Sequence, residues 1–179
     1  MNKASIHPLA RDHRSPGTGE QIYAVGIGAN RPMAGMRPRD ILRAAFDALD
    51  FAPLSLVRAS PIIDSRPLGP SARTYANAAA IVSTRLLPLA MLDQLQAIER
   101  TFHRRRYRRW GARTLDLDLL LWSGGAVRSK RLTVPHPAIA DRAFVLEPLR
   151  AIAPDAQDPV SGLTIRHLTS RLRKPTPAR

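Results

Sequence analysis

Two helical patterns that each begin at a proline divide the middle of the chain into short alternating segments. Pro38 precedes apolar residues at helical spacing up to Leu49, and Pro88 precedes a second such series up to Glu99. Proline is favoured in the first turn of a helix, because its fixed φ suits the helix and its missing N–H is not needed there. The short apolar segments before and between these helices are typical of buried strands.

The strand-like segments define the fold class. They lie at residues 22–28, 54–63, 77–85 and 115–122. Pro61 interrupts the second of them, and a loop with two prolines and a glycine at 65–71 precedes the third. The order β-α-β-β-α-β predicts an α+β fold, a ferredoxin-like sandwich with helices on one face of an antiparallel sheet. We also expect an extended segment at 132–135 and extra C-terminal helices near 143–151 and 163–172.

The length of 179 residues predicts a single folded domain. Residues 1–21 mix Pro, Gly, Ser and charge without apolar periodicity, which predicts a disordered leader. We expect the folded domain at residues 22–172 and a basic tail at residues 173–179. No apolar run approaches the roughly 18 residues of a membrane-spanning helix, and the N-terminus lacks a secretory pattern. We therefore expect a cytoplasmic protein without a membrane partner. The absence of cysteine excludes disulfides, thiol nucleophiles and cysteine-based metal sites.

The formal charge of +14 indicates an anionic partner, and its distribution narrows the choice. Residues 100–113 contain seven arginines and no acid, and residues 163–179 contain five Lys or Arg and no acid. These two segments account for +12 of the total. The pattern favours a local phosphate site and a basic C-terminal end over a surface that coats nucleic acid.

Asp116 and Asp118 are the strongest chemical signal. Residues two apart in a strand face the same side, so the two carboxylates are predicted to lie side by side while the leucines pack opposite. A cation between them would relieve their repulsion, and Mg²⁺ accepts one or two carboxylates together with water and phosphate oxygens. The polar face of a half-buried strand explains the spacing alone about equally well. Six nearby arginines favour a polyphosphate clamp: Arg104, Arg105, Arg106, Arg108, Arg109 and Arg113.

The arginine-rich segment has three interpretations. It is a solvated surface, a nucleotide-binding loop that Gly111 allows to fold over a ligand, or an RNA-binding segment in which Tyr107 and Trp110 stack on bases. An RNA-binding module leaves the Asp116 and Asp118 pair unexplained.

Four further features concern ligand recognition. Gly26-Ile27-Gly28 lacks the third glycine of a dinucleotide motif, and it is better interpreted as a strand end that enters a tight turn in which Asn30 bonds its own backbone. His136 is held between two prolines, so it can donate to a phosphate at low entropic cost. Tyr75 and Asn77 lie on one face of their strand, where a ring beside an amide suits a flat heterocycle. Phe144 is either core or one wall of an aromatic slot.

The motifs together resemble a known family. They are Gly-Ala-Asn at 28–30, Pro-Leu-Gly-Pro at 67–70, Tyr-Ala-Asn-Ala-Ala at 75–79, Arg-Trp-Gly-Ala-Arg-Thr-Leu-Asp-Leu-Asp at 109–118 and Leu-Thr-Val-Pro-His-Pro at 132–137. In this order and spacing the chain from about Ile22 to Leu172 resembles the 6-hydroxymethyl-7,8-dihydropterin pyrophosphokinases of folate biosynthesis. A catalytically silent homologue is disfavoured by the intact aspartate pair.

The resemblance implies that pyrophosphate passes from ATP to the pterin hydroxymethyl group, giving AMP. It implies two Mg²⁺ ions on Asp116 and Asp118, ATP and the pterin as partners, no nucleic acid, and it leaves open an association with the next folate-pathway enzyme. The catalytic residues it implies are Arg104, Arg113, Asp116 and Asp118. The ATP-binding residues it implies are Glu99, Arg106, Trp110, Arg131, Thr133, His136 and Arg142. The pterin-binding residues it implies are Ser65, Pro67, Leu68, Tyr75, Asn77 and Phe144.

Overall fold

A computed structural model describes residues 19–65, 74–102 and 114–173 of the protein. The strands are β1 (Gln21–Ala29), β2 (Leu54–Ala59), β3 (Ile63–Ser65), β4 (Tyr75–Thr84), β5 (Asp116–Trp122), β6 (Val127–Arg128) and β7 (Thr133–Val134). The helices are α1 (Pro38–Leu49), α2 (Pro88–Thr101), α3 (Ala143–Ile152) and α4 (Ile165–Arg173). None of these described helices is long and apolar enough to cross a membrane. Most of the predicted leader and tail lies outside the described residues.

The main sheet is antiparallel, as predicted. Its strands run in the order β2-β4-β1-β5, and β3 pairs with the start of β4. The strands β6 and β7 form a separate hairpin that the sequence analysis did not predict beyond one extended segment. The central strands β1 and β4 carry the longest pairing, so side chains on them are placed by neighbours on both sides.

Helices α1 and α2 begin at the predicted prolines, Pro38 and Pro88. At the start of α1, the backbone N–H of Arg37 donates to the side chain of Asp40 at 3.3 Å, and the Asp40 N–H donates to the Arg37 carbonyl oxygen at 2.9 Å, so both groups hold the first turn. The apolar stripe of α1 is buried, as the helical spacing requires. Both helices end within two residues of the predicted positions.

The helices cover both faces of the sheet: the two helices of the predicted β-α-β-β-α-β order lie on one face, as predicted, and the extra C-terminal helices, for which no face was predicted, cover the other. Helices α1 and α2 pack on one face, against a cluster that includes Val25 and Leu117. Helices α3 and α4 pack on the other face, against a cluster that includes Ala24, Ile81 and Leu120. The physical reason is that β1 is apolar on both sides, with Ala24 and Val25 both fully buried, and each side needs a cover.

Three local predictions also change. The turn predicted after the first strand begins slightly later than expected, because β1 continues through both glycines to Ala29. The interrupted second strand is two strands, β2 and β3, which both pair with β4. Strand β4 begins at Tyr75, two residues earlier than predicted, so Tyr75 is held by the sheet.

Candidate active site

The two aspartates lie side by side on β5, on the face of the sheet that α3 covers. Asp116 pairs with Gly28 of β1 and Asp118 pairs with Gly26. Both aspartates are half-buried, whereas Leu117 between them is buried on the opposite face. The predicted alternation is therefore confirmed. Asp118 lies beside Arg142, the residue that precedes the first turn of α3.

A strip of bare backbone separates the aspartates from β4. Gly28 is in register with Asp116 on one side and with Asn77 on the other. A Cβ added to Gly28 would lie 3.4 Å from the Asn77 Oδ1 atom. Glycine inside a strand often marks a close approach to the backbone. The sequence analysis missed this strip, although two glycines two residues apart in one strand, beside two aspartates two apart in another, would have been a usable signal.

His136 faces the carboxylates because its backbone is bonded to the outer edge of β5. The His136 N–H donates to the Leu120 carbonyl oxygen at 3.0 Å. Its Nδ1 accepts from the Ala138 N–H at 3.1 Å, so the proton of the neutral ring is on Nε2. That Nε2 atom lies 4.0 Å from Asp118 Oδ2.

Burial lowers the pKa of His136, and the nearby Arg142 charge lowers it further, while Asp118 and Asp116 act in the opposite direction. The ring is therefore neutral at pH 7 and offers an uncharged N–H to the cleft. Such a donor suits a phosphate oxygen without adding a further buried positive charge.

Arg142 supplies the positive charge on this side. Its Nη1 atom lies 3.7 Å from Asp118 Oδ2, and its guanidinium carbon lies 5.9 Å from the centre of the Phe144 ring. Arg142 is the N-cap residue of α3, so the start of that helix places Arg142 beside Asp118 and Phe144 beside Arg142. Phe144 is partly buried and packs against the α3 and α4 cluster, which agrees with the core interpretation; its role as one wall of an aromatic slot stays a prediction.

Asn77 is the polar group on the β4 side of the cleft. It is 5% exposed, and its Nδ2 donates to Ser65 Oγ at 2.7 Å. With the amide nitrogen turned to Ser65, the carbonyl oxygen lies over Gly28 as a hydrogen-bond acceptor. Tyr75 pairs with Ser65 across the strands and shares this face with Asn77. The predicted placement of Tyr75 and Asn77 on one face of their strand is confirmed, and their role toward a heterocycle stays a prediction.

The remaining predicted site residues lie elsewhere or outside the described residues. Arg131 forms an ion pair with Asp93 of α2, and Thr133 lies on β7. Glu99 is 3% exposed and accepts from the Leu117 backbone N–H at 2.8 Å. The residues outside the described part of the chain are Pro67, Leu68, Arg104, Arg106, Trp110 and Arg113.

The arrangement can bind a divalent cation and a polyphosphate together. Within residues 19–65, 74–102 and 114–173, no three His, Asp or Glu side chains cluster as a protein-only metal site. Two adjacent carboxylates fit Mg²⁺, because this ion takes one or two carboxylates and completes its shell with water and phosphate. The Arg142 guanidinium and the His136 N–H lie within 4.0 Å of the same Asp118 carboxylate, so both can reach an anion that binds beside it.

Sequence comparison matches this chain to a protein family. Residues 24–154 match the family model described as 7,8-dihydro-6-hydroxymethylpterin-pyrophosphokinase. A Pseudomonas aeruginosa 2-amino-4-hydroxy-6-hydroxymethyldihydropteridine pyrophosphokinase is 44% identical over 142 residues, which cover 78% of this chain and 85% of that protein. The Haemophilus influenzae protein of the same name is 42% identical over 134 residues, covering 74% and 80%.

Structural comparison agrees at the level of the fold. A crystal structure of Plasmodium falciparum HPPK-DHPS matches with a TM-score of 0.66 and 14% identity, over 85% of this chain. A second structure of that protein, with pteroate, matches with a TM-score of 0.68 and 13% identity. The match covers only 44% and 42% of those longer chains.

Proposed function

We propose, since this chain belongs to the 7,8-dihydro-6-hydroxymethylpterin-pyrophosphokinase family, that the cleft beside the start of α3 is its active site. The chain is an ATP-dependent pyrophosphokinase of folate biosynthesis. In the reaction the hydroxymethyl oxygen of the pterin bonds to the β-phosphorus of ATP, and the bond to the α-phosphate breaks to release AMP. The observation that carries the placement is the Asp116 and Asp118 pair, which faces Asn77 across Gly28.

We propose that Asp116 and Asp118 hold two Mg²⁺ ions. The support is chemical: the carboxylates share one face of β5, are half-buried, and offer only oxygen ligands. Bound there, Mg²⁺ neutralises phosphate charge and helps to align the transferring group. The side chains bring the ions to the strand that borders the cleft, and β1 fixes the spacing of the two carboxylates through the pairs with Gly28 and Gly26.

Arg142 and His136 bind the phosphates in this proposal. Both approach Asp118 from α3 and from the segment after β7, at 3.7 and 4.0 Å. A phosphate oxygen that approaches this side of the cleft receives a charged donor from Arg142 and a neutral donor from His136. Phosphoryl transfer needs positioning and charge neutralisation more than a strong base, so this set suffices without a dedicated general base.

The pterin occupies the β4 side of the cleft in this proposal. Asn77 presents its carbonyl oxygen over the bare Gly28, and this acceptor matches the N–H groups on a pterin edge. Ser65 holds the amide in that orientation. Tyr75 and Phe144 flank the ring system from β4 and α3, in keeping with the resemblance. Pro67 and Leu68, which lie outside the described residues, complete this side in the proposal.

The residues of the arginine-rich segment keep the roles that the resemblance implies. We propose Arg104, Arg106 and Arg113 as phosphate contacts and Trp110 as a nucleotide-side residue. We also propose Arg131 and Thr133 on the nucleotide side. Arg131 is already turned toward α2 by Asp93, which holds its guanidinium near the β6–β7 hairpin.

Several broader assignments stay proposals. The strand order β2-β4-β1-β5 supports a ferredoxin-like arrangement of the first five strands. The HPPK-DHPS chains among the structural relatives support an association with the next enzyme of folate synthesis. The domain limits of 22–172 and a cytoplasmic location are also proposed. Neither the family match nor the named relatives support the RNA-binding alternative.

The test is product analysis with ATP, Mg²⁺ and 6-hydroxymethyl-7,8-dihydropterin. We expect one AMP per pterin diphosphate, and no turnover when the divalent ion is removed by a chelator. ADP as the nucleotide product would contradict pyrophosphoryl transfer. Unchanged turnover in excess chelator would contradict the metal assignment alone.

A further inference from the structure

Glu99 is a buried acid whose observed partner is the strand that carries the aspartates. It lies in the last turn of α2, is 3% exposed, and its Oε1 accepts from the Leu117 N–H at 2.8 Å in a buried contact. Burying a carboxyl group is unfavourable unless it is hydrogen-bonded, so loss of the hydrogen bond to Leu117 would destabilise the buried Glu99 side chain. The contact therefore ties the end of α2 to β5.

Leu117 lies between the two aspartates, and its backbone is held from two sides. Asp116 and Asp118 pair with β1 on one side of β5. The N–H of Leu117 meets Glu99 on the other side. A second buried bond acts nearby, where Thr114 Oγ1 donates to the Phe102 carbonyl oxygen at 2.6 Å. The end of α2 thus holds the chain as it enters β5 and again between the aspartates.

We propose that Glu99 is a positioning residue that sets the affinity of the aspartate pair for divalent metal by fixing the β5 backbone between them. The inference rests on the proposed metal-binding function of Asp116 and Asp118. Glu99 reaches β5 from α2, whereas the two aspartates face the α3 side. Its role therefore differs from the direct ATP contact that the resemblance implies. Groups that orient metal ligands from outside the ligand shell typically change metal affinity about tenfold or more when they are removed.

The test compares two side chains of nearly equal size. Glu99→Gln keeps an oxygen acceptor for the Leu117 N–H, and Glu99→Met removes it. Mn²⁺ binding is titrated by electron paramagnetic resonance, with a saturating ATP analogue whose α,β-bridging oxygen is replaced by methylene. We expect the Mn²⁺ midpoint to rise about tenfold in Glu99→Met and to stay within about twofold of the parent in Glu99→Gln.

Hydrogen exchange gives a second readout that does not depend on catalysis. We expect the amide of Leu117 to lose protection in Glu99→Met and to keep it in Glu99→Gln. Glu147→Met is the matched control, because Glu147 pairs with Arg173 on α3 and α4 at 3.0 Å, and we expect it to leave the Mn²⁺ midpoint unchanged. If Glu99→Met does not fold, Glu99→Asp replaces it, since the shorter side chain keeps the charge but does not reach Leu117.

Three results overturn the inference. The first is an unchanged Mn²⁺ midpoint in Glu99→Met, or in Glu99→Asp where that variant replaces it. The second is a Mn²⁺ midpoint in Glu99→Gln that rises as much as in Glu99→Met. The third is an equal loss of affinity for the ATP analogue with and without metal, which indicates a direct nucleotide contact. The metal assignment fails separately. In that case the parent protein shows no Mn²⁺ binding that Asp118→Asn removes.

Discussion

The two faces of β1 and β5 use the same backbone for different purposes. On the α2 side, Val25, Ile27 and Leu117 are buried in a continuous apolar cluster. On the α3 side, the residues that alternate with them are two glycines and two aspartates. The Leu120 side chain covers Gly26, Gly28 leaves the backbone bare, and Asp116 and Asp118 carry charge. One strand register therefore fixes both the packing and the chemistry.

The difference shows how a rigid site is built on a small domain. The carboxylates cannot move apart without breaking the packing of Leu117, because both are on one short strand. The α3 side of these strands can carry glycine and charge because apolar burial on the α2 side stabilises the same strands. Substitutions on the two faces should consequently affect different measurements.

The largest effect is expected from Asp118→Asn. We expect kcat/KM to fall at least about a hundredfold, because the amide is a poor ligand for Mg²⁺ and leaves Arg142 without its acidic neighbour at 3.7 Å. The thermal midpoint should stay close to that of the parent protein, since the side chain is 37% exposed and its repulsion with Asp116 is relieved. Steady-state kinetics and thermal unfolding measure the two quantities.

Asp47→Asn is the control for this substitution, because it removes an exposed carboxylate from α1 on the other side of the sheet. It should leave kcat/KM unchanged. Near-normal turnover of Asp118→Asn at ordinary Mg²⁺ would remove Asp118 from the site.

Leu117→Ala tests the opposite face one residue away. Removal of this buried side chain should cost about 2–5 kcal/mol of unfolding free energy, through lost burial and the cavity left behind. The variant keeps the backbone N–H of residue 117, which donates a hydrogen bond to Glu99. Since this contact is retained, we expect kcat at low temperature to stay within a fewfold of the parent value. Denaturant unfolding and assays at 10–15 °C, well below the transition, check this. A large loss of kcat in fully folded protein would show that the faces are not separable.

Gly28→Val tests the bare strip. Valine suits a strand, but its side chain would stand beside Asn77 Oδ1, only 3.4 Å from the new Cβ. We expect the KM for the pterin to rise about tenfold, which is the 1.4 kcal/mol expected from one obstructed contact, and the KM for ATP to change less. Ile27→Val on the opposite face is the control, and it should lower stability slightly without changing either KM. Equal changes in both KM values for Gly28→Val would place the pterin elsewhere.

The parts that the sequence predicted are those with a local pattern. The proline-initiated helices, the alternation of Asp116 and Asp118 with leucine, and the shared face of Tyr75 and Asn77 all follow from periods of 3.6 or 2 residues. A residue two positions away faces the same side in any strand, whatever the rest of the chain does. These features could be predicted without knowing the sheet order.

The parts that were missed depend on contacts between distant segments. The bond from Leu117 to Glu99 and the ion pair of Arg131 with Asp93 join residues 18 and 38 positions apart. The bare strip at Gly28 acquires its meaning only when β1 is known to lie between β4 and β5. Long-range pairing, and the cover of the second sheet face by α3 and α4, are set by total burial and have no local signature.

The smallest effect is expected from Asp93→Asn. Asp93 belongs to α2 and lies on neither of the two compared faces of β1 and β5. The substitution releases the Arg131 guanidinium from α2, and both side chains of this ion pair are more than half exposed. Exposed ion pairs contribute at most about 1 kcal/mol, so the KM for ATP should rise no more than about fivefold. The pterin KM and the thermal midpoint should not change. Michaelis constants for the two substrates, measured separately, test this.

The ionic-strength dependence distinguishes this effect from a catalytic one. A solvent-exposed pair is screened by salt, so the difference between Asp93→Asn and the parent should shrink as NaCl is raised from about 0.05 to 0.5 M. Asp155→Asn is the matched control, because it breaks the similarly exposed pair of Asp155 with Arg166 at 2.8 Å on the far side of α4. That control should leave both KM values unchanged at every salt concentration. If the KM for ATP in Asp93→Asn instead rose more than tenfold at every salt concentration, Asp93 would be part of the active site. The site would then include residues of α2 as well as the α3 side of the sheet.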